Sequence, residues 1–173
     1  MKKYFLSILL SFLLLFILSS CSIDDEQLFQ QAQQFVNEKK VPEAIKLLQE
    51  IVEKKPNGEF GEKSQKTMIS LYQIELQNPQ MAIQEARRFV ELYPNSAQTP
   101  SVYFMIGFIF NNDMHQTDSA KIAYTEFLSR YPNSEMAKSA EFELQNLGKD
   151  INEIFKAQLT DTTKKPQFTV QSK

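Results

Sequence analysis

The chain has 173 residues, a formal charge of −2 and a single cysteine. That is enough length for one sizeable core. It excludes an intrachain disulfide, and it lacks the clustered positive charge that a nucleic-acid surface needs. Glycine is scarce, at 4 residues, and Gln, Glu, Lys, Ala and Leu dominate after the first segment, which favours helix.

The first segment has its own logic. Lys2 and Lys3 precede an uncharged apolar run from Tyr4 to Leu18, and the chain turns sharply polar after Cys21. The run is long for a signal core but short for a membrane-spanning helix. It closes on Leu18-Ser19-Ser20-Cys21, which resembles a bacterial lipoprotein signal. That resemblance implies cleavage after Ser20, lipidation of Cys21 and a membrane anchor. Residues 1–20 are therefore expected to be a signal peptide. Losing Lys2 and Lys3 with it takes the charge from −2 to −4. Ser22 after the cysteine resembles an outer-membrane address, with the periplasmic face expected. Asp24-Asp25-Glu26 is similar to surface-export signals, but acids also favour a helix N-terminus, and that reading is preferred here.

Amphipathic helices follow in order. Leu28, Ala32, Phe35 and Val36 mark the first, over Asp24 to Lys39, with Asp24 or Asp25 as cap. Pro42 opens the second, which carries Ala44, Ile45, Leu47, Leu48, Ile51 and Val52. The third spans Glu59 to Leu76, and Asn78-Pro79 starts the fourth, with Ala82, Ile83, Ala86, Phe89, Val90 and Leu92 inward. Asn95 or Ser96 caps a fifth from Ala97 to Asn111, followed by a loop over Asn112 to Gln116. Thr117 or Asp118 begins the sixth, and a seventh carries Met136 to Leu147 with Gly148 as its C-cap. Ile151 to Leu159 is a short eighth, and the polar end from Thr160 to Lys173 is expected to be disordered.

These helices repeat. Tyr93-Pro94-Asn95-Ser96 recurs at Tyr131-Pro132-Asn133-Ser134, and Pro56-Asn57 stands the same distance back. Ala44, Ala82 and Ala120 fall in register, as do Ile51, Phe89 and Phe127. Three copies at one period are the mark of a repeat array, in which no hairpin buries its apolar stripe alone. The spacing Ala120, Tyr124, Phe127, Pro132 and the set Tyr103, Ile106, Gly107, Phe110 resemble the two helices of the tetratricopeptide repeat. Ala82, Ala86, Phe89 and Pro94 fit less closely, as do Leu28, Gln31, Ala32 and Phe35.

The period, longer than is usual for that repeat, and the Tyr-Pro-Asn-Ser endings are similar to those of envelope lipoproteins. The lipoprotein of the β-barrel assembly machinery and the periplasmic tetratricopeptide protein of the Tol-Pal system are the look-alikes. The resemblance implies an all-α solenoid of three hairpins plus a closing helix over 21–149, with 150–173 as tail. It implies a lipid-anchored scaffold for envelope proteins, in outer-membrane protein assembly or envelope maintenance. Tol-Pal or cell-wall coordination is the alternative, and a cell-surface accessory subunit a further one.

Nothing in the sequence is arranged for catalysis. His115 is the only histidine and has no second His or free Cys with which to share a metal. No glycine-rich loop offers a phosphate cradle. Neither a cofactor nor a small-molecule substrate is expected. The fifth helix is the oddity: Val102 to Ile106 and Phe108 to Phe110 surround it with apolar groups. By their place in the repeat motif, Phe104 and Phe108 line a partner groove with Phe29, Gln33, Lys66, Ser70 and Phe142. The competing expectation is that Phe104 and Phe108 are both core.

Overall fold

A computed structural model describes residues 24–149, together with 152, 153 and 156. Seven α-helices and no strands occur among the described residues. They are α1 (Asp25–Asn37), α2 (Val41–Lys54), α3 (Glu59–Ser70), α4 (Pro79–Leu92), α5 (Thr99–Phe108), α6 (Thr117–Arg130) and α7 (Ala137–Asn146). This is the expected succession of three hairpins and a closing helix. The signal and Cys21 lie outside the described residues, as does most of the eighth helix, of which Asn152, Glu153 and Lys156 are helical. The chain forms two compact units, one ending at Ser64 and one beginning at Gln65.

In the first unit α1 packs on α2. Leu28 and Ala32 of α1 are buried, with Ala44, Leu48, Ile51 and Val52 of α2. Pro42 sits in the first turn of α2, where its missing N–H costs nothing. Asp24 is the N-cap of α1, but its side chain makes no capping bond. Asp25 instead holds Lys55 at 2.9 Å, tying the start of α1 to the end of α2.

In the second unit α4, α5, α6 and α7 pack in sequence. One core joins Ile69, Ala82, Ala86, Phe89, Val102, Ile106 and Ile109. A second joins Tyr103, Ala120, Tyr124, Phe127 and Ala140. Asn78 caps α4 as expected, its side chain accepting from Met81 N–H at 3.1 Å. Leu92, expected inward, is 36% exposed. Leu92 is the last residue of α4, where the stripe has turned toward solvent.

The repeat is written in the backbone more faithfully than in the side chains. Each proline joint makes the same two turns. Gly58, Ser96 and Ser134 N–H donate to the carbonyls of Lys55, Tyr93 and Tyr131, and Gly61, Thr99 and Ala137 N–H donate to Gly58, Ser96 and Ser134. This delays the fifth helix to Thr99, beyond the expected start at Ala97. Ser96 is not its N-cap; its hydroxyl accepts from Gln98 N–H at 3.0 Å inside the turn.

The third and fifth helices, expected as uninterrupted, both end in a π-helical turn, over Leu71–Glu75 and Ile109–Asp113. Leu76 and Met114 N–H reach back to the carbonyls of Leu71 and Ile109. Such a turn holds one extra residue per ring. The expected loop over Asn112 to Gln116 therefore begins inside a helical turn. The first hairpin lacks the insertion: Glu38 N–H donates to Gln34, at the ordinary α-helical spacing. All three hairpins then turn through one left-handed residue, Lys39, Gln77 and His115, with φ of 61°, 48° and 54°. These three stand one repeat apart. Gly148, the expected C-cap glycine, has φ 73°.

Candidate functional site

Two groove candidates belong to the first unit. Phe29 is half-buried, its ring 5.4 Å from that of Phe60, and Gln33 is exposed. The others belong to the second unit. Lys66 is half-buried and donates to the side chain of Gln98, while Ser70 is exposed.

Phe104 and Phe108 part company. Phe104 stacks 5.4 Å from Tyr124 and 5.9 Å from Phe127, both fully buried. It is half-buried and packs against the α5–α6 core, so one ring of an i, i+4 pair turns under the next helix. Phe108 is 38% exposed. Its carbonyl accepts from the Asn112 side chain at 3.1 Å, so the backbone beneath the ring is tied into the π turn. Phe142 occupies the place of Phe104 one repeat later but is 42% exposed.

The contrast between α5 and α7 follows from sequence. At the positions of Tyr103, Ile106 and Gly107, α7 carries Glu141, Leu144 and Gln145. This face of α7 is therefore more polar than its counterpart on α5. Glu143 beside this face has its carboxyl held above the usual range by burial.

The α5–α6 crossing itself is tight. Tyr124 lies over Gly107, where an added Cβ would come 2.7 Å from two of its ring carbons. Burial pushes the Tyr124 phenol up, with the Glu143 charge adding to the effect. Tyr103 donates to Glu126 at 2.7 Å, and Arg130 lies 5.3 Å over its ring. Its phenol is also raised, chiefly by burial and then by that bond. In the preceding hairpin the place of Tyr103 is taken by Gln65, fully buried, which donates to the Glu85 carboxylate at 2.6 Å and to its carbonyl at 3.0 Å. Sequence reading missed this pair, since one Gln and one Glu on different helices carry no local signal.

His115 is exposed on its left-handed turn, and no cluster of metal-ligating side chains exists among the described residues. No described helix is long and apolar enough to cross a membrane.

Helical hairpins at one period, with a small residue under the aromatic of the next helix, define the tetratricopeptide class of repeat protein. The match to a known family is narrower. Residues 22–154 fit the family YfiO, described as outer membrane lipoprotein, and the chain belongs to that family.

Proposed function

We propose that this protein is a lipid-anchored scaffold that holds other envelope proteins at the outer membrane and catalyses nothing. The anchor is Cys21. Each buried CH₂ of an acyl chain contributes about 0.8 kcal/mol, so several chains hold firmly where one holds marginally. The scaffold faces the periplasm. The Asp25–Lys55 bond gives one acid of the run after Cys21 a role in the fold, which supports this face over an export signal.

The observation that carries the interaction site is the exposed ring of Phe108 on a helix whose other apolar residues are mostly buried. An exposed aromatic fixed on a rigid helix is the kind of anchor that a partner's apolar side chain or helix covers. Phe142 in the same unit extends the apolar character, and Ser70 and Asn112 supply polar groups. The partner is a component of outer-membrane β-barrel assembly. A Tol-Pal or cell-wall factor is the second reading.

Crosslinked capture from intact envelopes tests both. Phe108→Glu abolishes capture with helicity unchanged. Capture equal to wild type would remove Phe108 from the site. Recovery of peptidoglycan factors in place of a β-barrel assembly protein would favour the second reading. Cys21→Ser releases the protein from membranes, and continued tight association would refute the anchor.

A further inference from the structure

The second unit carries another surface, on the side of α5 away from Phe108. Helices α4 and α6 start and stop in the same repeat register and both pack on α5. They run in the same direction, since α5 returns between them. They flank an open cleft of about 370 Å³, floored by Tyr103, Ile106 and Phe110. Four charges line its edges: Arg87 and Glu91 on α4, and Glu126 and Arg130 on α6.

The order of these charges is informative. On each helix the two are spaced i, i+4, one turn along one edge. Repeat register puts Glu126 within one residue of the height of Arg87, and Arg130 within one residue of that of Glu91. The rim is therefore a checkerboard, positive then negative along α4, negative then positive along α6. Closed dimers are built on a two-fold axis. An axis across the helices sets α4 against α4 in reverse, so Arg87 meets Glu91. An axis along them sets α4 against α6, so Arg87 meets Glu126. Either way unlike charges face each other, and the surface is complementary to itself.

A second feature points the same way. Ile122 stands on the lip, one turn before Glu126, and is 62% exposed. It is an apolar knob beside a cleft with an apolar floor. We infer that this face docks a second copy of the chain about a two-fold axis, with Ile122 of one copy entering the cleft of the other. The interface is separate from the Phe108 surface and leaves it open. Anchoring to one membrane would raise the effective concentration of the two copies.

Sedimentation equilibrium of the full chain in density-matched detergent tests this. The wild type shows a reversible monomer–dimer equilibrium. Ile122→Glu and, separately, Arg87→Glu each weaken it about tenfold or more, with circular dichroism unchanged because both side chains are exposed. Reversing all four charges together, with Arg87→Glu, Glu91→Arg, Glu126→Arg and Arg130→Glu, restores the checkerboard and regains dimer lost in the single reversal. A monomer at every concentration overturns the inference. So does a dimer indifferent to both single substitutions, or a different protein crosslinked through position 122 in place of a second copy.

Discussion

Gly107→Ala probes the crossing on which the α5–α6 hairpin depends. The new Cβ would lie 2.7 Å from Cδ1 and Cε1 of Tyr124 and 3.0 Å from Cγ. Ordinary contact begins near 3.4 Å, so the ring must retreat by about 0.7 Å. It has little room, being fully buried with Phe104 5.4 Å from it. Cγ is close to the backbone, so rotation of the ring alone cannot relieve the clash. Overpacking of this kind costs about 1–3 kcal/mol. Alanine returns about 0.8–1 kcal/mol of helix propensity. The net expectation is a loss of about 1–2 kcal/mol, near the upper end if α6 cannot shift. Urea unfolding followed by circular dichroism reads it as a midpoint lowered by roughly 0.5–1 M. Tyr124→Leu is the companion background: with the ring gone, Gly107→Ala there is neutral or stabilising, a coupling that only direct contact produces. Gly107→Ala at least as stable as wild type, with the Tyr124 ring intact, would refute the close crossing.

Other outcomes follow from the same packing. Gly61→Ala places Cβ 2.2 Å from the Pro56 carbonyl oxygen, a backbone atom, and is expected to cost about 3 kcal/mol or more in the same urea assay. Asn78→Ala removes the cap on Met81 N–H and costs about 1 kcal/mol, read as a lowered thermal midpoint. Gln65→Leu leaves the buried Glu85 carboxylate without its donor and costs about 2–3 kcal/mol; Glu85→Gln, whose amide oxygen still accepts, costs less. Glu143 has a folded pKa above its unfolded one, because burial disfavours its charge. Its contribution is most favourable below the unfolded pKa and is lost as pH rises through the folded pKa. Glu143→Gln therefore stabilises at pH 7 relative to wild type, and the gain shrinks on acidification toward pH 4; a gain independent of pH would contradict this.

Phe104 and Phe108 show where reading by motif reached its limit. They are the same residue type one turn apart, and a repeat register treats them as one pair. Which ring is covered depends on the path of α6, because Tyr124 and Phe127 come over Phe104 and stop short of Phe108. Phe104→Glu is accordingly expected to lower stability, while Phe108→Glu is expected to leave it alone, measured side by side in urea.

The helices, their order and the joints between them were legible in the chain before any fold was known. Apolar spacing and proline act through near neighbours, so their effects are local and visible in one dimension. The repeat period also lay open, in Tyr-Pro-Asn-Ser and in the aligned alanines Ala44, Ala82 and Ala120. The left-handed residues and the π turns needed three dimensions. Lys39, Gln77 and His115 share a backbone conformation but no chemistry, and none is the glycine that a positive φ would announce. Closing each hairpin onto its packed core imposes that turn on whatever residue occupies the place. The Gln65–Glu85 bond and the charge checkerboard between α4 and α6 arise in the same way, from residues that meet only after the helices have stacked.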